Sequence, residues 1–137
     1  MTMFSINGWA GGISAAVGGL IGFAFGRWTE ALTFLLCAMV ADIASGIVAS
    51  LKEGRGHSSS IARAGLAGKG MALLAIIVAH RIDVLLGLDA VVITAATYFY
   101  IANEMLSVVE NYGRSGYPLP EKVRDIISVL KAKGGGK

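Results

Sequence analysis

The chain has 137 residues, of which 55% are hydrophobic and only 15% charged, with a net charge of +3. A soluble domain usually carries about 25% charged residues, so this chain has too few polar side chains to cover a soluble globule. One cysteine, Cys37, excludes an intrachain disulfide. The composition therefore favours an all-α integral membrane protein and argues against a soluble enzyme or secreted disulfide scaffold.

The first two apolar segments are long enough to cross a bilayer. Residues 8–26 are 19 residues without an ionisable side chain, and residues 31–50 are 20 residues with a single one, Asp42. A helix of about 20 apolar residues spans a hydrocarbon core of roughly 30 Å. No Lys or Arg precedes Gly8, so a cleaved signal peptide is not indicated and the first segment is expected to remain as an anchor.

Two further helices are predicted near residues 70–87 and 90–109. The Gly- and Ser-rich polar stretch 52–69 predicts a loop before the third helix. The third helix is purely apolar only over residues 70–79, but its 18 residues would extend roughly 27 Å, which is just sufficient. Asp89 is expected to cap the fourth helix. Residues 1–112 thus form a predicted transmembrane domain of four spans, with three spans as the alternative.

The distribution of basic residues favours four spans. Four Lys or Arg lie in the stretch 52–69 and six lie after residue 113, which makes ten of the twelve in the chain. With four spans these ten fall on one side of the membrane, and only Arg27 and Arg81 fall on the other. Because positive charge accumulates in cytoplasmic loops, both termini are expected in the cytoplasm.

The tail, residues 113–137, is predicted to contain an amphipathic helix over 120–133. Its apolar residues recur at helical spacing and are Val123, Ile126, Ile127 and Leu130. Its basic residues cover the remaining surface and are Lys122, Arg124, Lys131 and Lys133. Such a helix is expected to lie on an anionic inner leaflet.

Small residues form a stripe along the first helix. The stripe consists of Gly8, Gly12, Ala15, Gly19, Gly22 and Gly26, and a double GxxxG of Gly18, Gly22 and Gly26 overlaps it. Ala38 and Gly46 continue this pattern in the second helix. Small residues let helices approach closely in lipid. The stripe therefore indicates either a self-association face or packing within the chain, and both interpretations stay open.

Asp42 is the most informative charge because it lies in the middle of a predicted span. Insertion of an aspartate there costs about 2.5–3.5 kcal/mol, so Asp42 is expected to face protein or water, as a gating or pore-lining group or as a structural contact. Arg81 is the predicted partner, at a depth that differs by about 4–5 Å; snorkelling to the interface is its alternative. His80 and Asp83, three residues apart, are expected to pair.

The remaining candidates carry no recognisable catalytic pattern. Glu104 is a further intramembrane candidate, whereas Glu110 is attributed to the solvated interface. Neither histidine has a second ligand at metal spacing, so no metal or other cofactor is expected. The segment 65–69 lacks the spacing and strand of a phosphate-binding loop, and the basic stretch lacks aromatic residues. The sequence therefore predicts neither an enzyme nor a nucleic-acid partner.

Several short motifs occur in a fixed order from the second helix to the tail. Their residues are Asp42, Ser45, Gly46, Gly65, Lys69, Asp83, Asn103, Glu104, Ser107, Glu110, Asn111, Gly116, Pro118 and Pro120. This pattern resembles the bacteriophage holin family that includes toxin-secretion and phage-lysis holins. The resemblance covers about residues 31–130, and the stretch 103–120 is its most specific part.

The resemblance implies a small, often phage-encoded protein of the bacterial inner membrane. Members oligomerise and open lesions through which a cell-wall hydrolase or a toxin escapes. The implied partners are the lipid bilayer, further copies of the chain, and a hydrolase or toxin without stable contact. Two alternatives remain: a small oligomeric ion channel or transporter that uses Asp42 and Glu104, and a membrane anchor whose tail docks a soluble partner.

Overall fold

The computed structural model describes residues 3–54 and 59–134, which form five helices. These are α1 (Met3–Phe25), α2 (Glu30–Lys52), α3 (Ser59–Leu86), α4 (Val91–Arg114) and α5 (Glu121–Gly134). The predicted all-α class is confirmed. In the described ranges, α2 and α4 are long and apolar enough to cross a membrane, and Trp9–Phe25 is a shorter apolar stretch.

The beginning of α3 differs most from the prediction. The helix begins at Ser59, whereas the sequence predicted a loop through residue 69 and a helix over 70–87. Gly65 and Gly68 each disfavour a helix by about 1 kcal/mol, but the Ala, Arg, Leu and Lys residues around them are good helix formers. Lys69 also packs inside the bundle, so tertiary contacts outweigh the local cost of the glycines.

Helix α4 is the centre of the bundle. It packs against α2 along one side and against α3 along another, and α1 packs on α3. The apolar core joins side chains of all three inner helices: Leu32, Leu35, Met39, Ala72, Ile76, Ala79 and Ile93. Leu35 and Ile76 are completely buried. This apolar core occupies the half of the bundle that is near the α3–α4 turn.

The junction between α1 and α2 shows why particular residues stand at the helix ends. Thr29 caps α2, because its side-chain oxygen accepts a hydrogen bond from the amide of Leu32 at 3.3 Å. Gly26 has a φ of +68°, and a Cβ on it would lie 2.6 Å from Cε1 of His80. Only glycine fits this corner without displacing the imidazole.

Candidate functional site

Charged side chains line the interior of the bundle beyond the apolar core. In α3 the inward-facing stripe runs Lys69, Ala72, Ile76, Ala79 and Asp83, so it has a charge at each end. In α4 the buried polar residues recur every seven positions as Thr97, Glu104 and Asn111. Residues seven apart lie on one helix face. At the Lys69 end of the α3 stripe, α2, α3 and α4 are therefore joined by contacts between charged side chains rather than by apolar contacts.

Lys69 holds two carboxylates from two other helices. Its Nζ donates a hydrogen bond to Oδ2 of Asp42 at 2.8 Å and another to Oε2 of Glu104. Side-chain exposure is 11% for Lys69, 20% for Asp42 and 6% for Glu104. A buried ion group of this kind is costly to desolvate, and removal of one member leaves the others uncompensated.

Asn111 extends this group along α4. Its Nδ2 donates to Oδ1 of Asp42 at 2.9 Å and to Oγ of Ser45 at 3.1 Å. Its Oδ1 accepts from Nη1 of Arg114 at 3.0 Å. Gly46 lies beside this amide, since a Cβ on it would be 3.4 Å from the Asn111 amide nitrogen, an ordinary van der Waals contact.

Arg114 completes the chain of contacts. Its Nε and Nη2 donate to the two carboxylate oxygens of Glu53, at 3.1 Å and 2.8 Å. We use the term polar network for this connected set: Glu104, Lys69, Asp42, Ser45, Asn111, Arg114 and Glu53. A small cavity of about 230 Å³ adjoins the network and is lined by Asp42, Gly65, Gly68, Lys69, Ala72, Tyr100, Asn103, Glu104 and Ser107.

The predicted pairing of Asp42 with Arg81 is wrong. Lys69 occupies the position beside Asp42, whereas Arg81 lies 4.6 Å from the ring centroid of Phe23 and donates to the Phe23 carbonyl at 3.4 Å. The depth estimate failed because α3 begins earlier than expected, which brings Lys69 into the bundle. Arg81 is exposed and instead ties the end of α1 to α3.

The predicted roles of His80, Asp83 and Asp89 are also corrected. His80 lies against Gly26, and Asp83 accepts hydrogen bonds from the amides of Val92 at 2.9 Å and Ile93 at 2.8 Å. Because it accepts from these two amides, the buried Asp83 caps α4 from the preceding helix. Asp89 was the expected cap, but the residue at the N-cap position is Ala90, which makes no side-chain cap.

The small-residue candidates divide into two groups. Every described side chain from Trp9 to Phe23 is exposed, and a Cβ at Gly12, Gly18, Gly19 or Gly22 would meet nothing within 4 Å. Ala15 is exposed as well, and the side-chain environment of position 8 lies outside the described residues. In contrast, Ala38 is buried and Gly46 contacts Asn111, so both serve packing within the chain.

The tail helix forms where it was predicted. Pro118 and Pro120 precede α5, and the Pro120 carbonyl accepts from the amides of Val123 and Arg124. Val123 and Ile127 are half-buried, whereas Ile126, Lys122 and Arg124 are exposed. Gly116 has a φ of +83° in the preceding turn. The side chains of Leu130, Lys131 and Lys133 lie outside the described residues.

Most of the quoted motif residues converge on the polar network. Asp42, Ser45, Gly46, Gly65, Lys69, Asn103, Glu104, Ser107 and Asn111 belong to the network, contact it or line the adjoining cavity. Glu110 lines a separate groove with Arg114 and Leu119. Sequence reasoning missed the roles of Lys69 and Asn111. The seven-residue spacings 69–76–83 and 97–104–111 were the available signal.

The arrangement is that of an all-helical bundle with charged side chains in its interior. Among the described residues, no group of three or more His, Cys, Asp or Glu side chains could hold a metal ion. The model of the bacteriophage holin family matches residues 19–132. The chain therefore belongs to the bacteriophage holin family, and the suggested resemblance is confirmed.

Individual relatives include a phage protein and uncharacterized bacterial proteins. A probable holin of Bacillus phage phi105 is 32% identical over 108 residues, which cover 77% of this chain and 78% of the phage protein. An uncharacterized protein of Listeria monocytogenes is 36% identical over 118 residues, covering 86% of this chain and 84% of that protein. An uncharacterized Clostridium perfringens protein is 33% identical over 119 residues, covering 86% and 89%. No solved structure matches the chain.

Proposed function

We propose that this chain is a holin that oligomerises in the bacterial inner membrane and opens lesions that release a cell-wall hydrolase or a toxin. The observation that carries the proposal is the polar network, which places a buried charge from α4 and partly buried charges from α2 and α3 inside a bundle of the holin family. Charged groups inside a membrane face the bundle interior or a water-filled space.

The proposed topology has four spans and cytoplasmic termini. The spans are α1, α2, the apolar part of α3 and α4, with the polar network towards the cytoplasmic side. Lys52, Arg55 and Arg63, together with the six basic residues of the tail, support this orientation, whereas Lys69 is paired inside the bundle. The apolar core then lies in the outer half of the bundle.

The open face of α1 supports a role in association between copies. Its glycines meet no side chain within the described part of the chain, and close backbone approach is a main source of helix association in lipid. In the proposed mechanism, α1 joins neighbouring copies, and rearrangement of the assembly exposes the polar network to water. Water then solvates Lys69, Asp42 and Glu104, which lowers the cost of separating them.

A selective ion channel is the second candidate, because the structure brings Asp42 and Glu104 together beside one cavity. The ammonium of Lys69, however, occupies the space between the two carboxylates where a cation would bind. This arrangement supports a contact that holds helices together more than an ion path. The third candidate, an anchor for a soluble partner, predicts no permeabilisation.

Controlled expression in a bacterium tests these candidates. The chain is expressed with or without a cytosolic cell-wall hydrolase that lacks a signal peptide, while optical density and release of a folded cytosolic enzyme are followed. Abrupt lysis only when both proteins are present is the expected result. Loss of membrane potential without hydrolase release would favour the channel, and no effect from membrane-inserted protein would favour the anchor.

A further inference from the structure

The cavity beside the polar network lies between α3 and α4 and is open at the surface of the bundle. Its exposed lining residues include Gly65 and Gly68 of α3 and Asn103 of α4, whereas Glu104 in its lining is buried. A Cβ on Gly65 or Gly68 would meet nothing within 4 Å. We call this opening the α3–α4 cleft. Because its α3 wall has no side chains at these two positions, a further helix can approach it closely.

Asn103 places an amide at the cleft in the middle of a candidate span. It lies twelve residues from the start of α4 at Val91 and eleven from its end at Arg114, which is about 16–18 Å from either end. Its side chain makes no hydrogen bond within the described residues, and it is too short to reach the membrane surface as a lysine does. An amide in hydrocarbon without a partner is costly. Asn103 therefore requires a polar group from outside the described part of its own chain.

Helix α1 carries a polar group at the matching depth. Ser14 lies eleven residues from each end of α1, is exposed, and makes no side-chain hydrogen bond within the described ranges. Phe25 and Val92 both pack against the apolar core, so the end of α1 and the start of α4 lie at the same end of the bundle. Counted from these two helix ends, Ser14 and Asn103 lie about 16.5 and 18 Å deep.

The residues around Ser14 have the same spacing as the α3 wall of the cleft. In each set the second residue follows the first by three positions and the third follows the second by four: Gly11, Ser14 and Gly18 in α1, and Gly65, Gly68 and Ala72 in α3. Both helices run from the cytoplasmic side outwards in the proposed topology, so the two sets can face each other in parallel. Ser14 then lies opposite Gly68 and beside Asn103.

We propose that α1 of a second copy docks in the α3–α4 cleft, with Ser14 hydrogen-bonded to Asn103. The hydroxyl and the amide can each donate and accept, and Asn and Ser side chains commonly bond across helices in lipid. The contact joins two different surfaces, and each copy carries both of them. Such an assembly grows into a ring or an open chain and does not stop at a dimer.

This inference deepens the proposed function, because it rests on oligomerisation and on the proposed orientation of the helices. The docked α1 covers the cavity beside Lys69, and its withdrawal uncovers the polar network. The contact thus connects assembly of the copies with exposure of the charges.

Disulfide formation between two differently tagged full chains tests the contact. Both chains carry Cys37→Ser; one also carries Ser14→Cys and the other Asn103→Cys, and they are co-expressed and oxidised in the membrane. A disulfide requires Cα atoms about 4.4–6.8 Å apart. We expect a mixed disulfide with both tags, several-fold more abundant than the dimers of either cysteine chain alone. Ile13→Cys in place of Ser14→Cys is the matched control, because Ile13 is exposed at nearly the same depth on another side of α1, and its mixed disulfide is expected to be several-fold weaker.

Two leucine variants of α3 test whether the cleft itself receives α1. Gly68 lines the cavity, whereas Gly70 is exposed on the same helix and does not line it. Added to the Asn103→Cys chain, Gly68→Leu is expected to lower the yield of the mixed disulfide several-fold, and Gly70→Leu is expected to leave it unchanged. Far-UV circular dichroism verifies that each variant keeps its helices.

Several outcomes would overturn the proposal. Dimers linked only between two Ser14→Cys chains would mean that α1 pairs with α1 instead of with the cleft. Equal yields from Ser14→Cys and Ile13→Cys, or equal effects of the two leucine variants, would overturn it as well. Lysis by the Cys37→Ser chain with the hydrolase is scored separately. Lysis without the mixed disulfide would contradict the cleft contact alone, and the mixed disulfide without lysis would contradict the holin function alone.

Discussion

The two halves of the bundle use the same helix faces with different chemistry. Near the α3–α4 turn, Leu35, Ile76 and Ala79 fill the space between the helices with apolar side chains. At the other end, the equivalent positions carry Asp42, Lys69 and Glu104. Water that enters the bundle does not weaken the association of apolar side chains, which water itself favours, whereas it strongly weakens the attraction between paired charges. We therefore propose that the polar half is the part that opens.

Substitution of Lys69 by methionine is expected to have the largest effect. Glu104 would keep a buried carboxylate and Asp42 a partly buried one without the ammonium, and breaking a buried ion group costs about 3–5 kcal/mol. Unfolding of the full chain by denaturant in detergent, followed by circular dichroism, measures the loss. Arg63→Met is the control, because Arg63 is exposed on the same helix; equal losses for both variants would contradict the prediction.

Neutralising all three charges distinguishes the contribution of charge to stability from the contribution of packing. We expect Lys69→Met combined with Asp42→Asn and Glu104→Gln to recover much of the stability lost in Lys69→Met alone, since no unpaired charge remains buried. If the combined variant is no more stable than the single one, packing rather than charge holds this half of the bundle.

Ile76→Ala probes the apolar half. Ile76 is completely buried, and a large-to-small change at such a site costs about 2–5 kcal/mol. The same denaturation measurement applies, with Leu74→Ala as control because Leu74 is 55% exposed. We expect the loss in Ile76→Ala to persist when the charges of the polar half are neutralised, because the halves contribute independently. A strongly non-additive effect of Ile76→Ala and the charge-neutralising substitutions would show that the two halves are coupled and would contradict this comparison.

Asp83→Ala removes the cap that α3 provides for α4. Loss of a capping side chain costs about 0.5–2 kcal/mol, here by leaving the amides of Val92 and Ile93 without their acceptor. Hydrogen exchange of these two amides is expected to accelerate. Asp89→Ala, at the position that sequence alone favoured, is expected to leave their exchange unchanged; the opposite pattern would restore Asp89 as the cap.

The smallest effect is expected from Arg114→Gln. Its pair with Glu53 lies at the end of the network, with side-chain exposures of 43% and 22%, and exposed pairs contribute about 0–1 kcal/mol. The difference from wild type should shrink further as salt is added, since salt screens exposed charges. A loss as large as that of Lys69→Met would mean that the network ends are as important as its centre.

The sequence predicted the helices better than their contacts. Apolar runs with at most one charge located α1, α2 and α4, because long apolar helices have a strong compositional signal. The first part of α3 lacks this apolar signal, because Lys69 is polar although it packs inside the bundle. The predicted partner of Asp42 depended on the assumed helix ends. Because α3 begins earlier than expected, the prediction assigned Asp42 to Arg81 instead of Lys69. Asp83 was unpredictable as a cap because it reaches α4 from another helix.

Thiol reactivity during lysis tests the central claim, that the polar half opens to water while the apolar half stays packed. In a Cys37→Ser background, single cysteines replace Ser107, beside the polar network, and Ala79, in the apolar core. Reaction with N-ethylmaleimide requires a hydrated thiol and is followed before and after lysis begins. We expect the rate at position 107 to rise at the onset of lysis while position 79 stays unreactive. Equal rates at both positions throughout lysis would contradict the account.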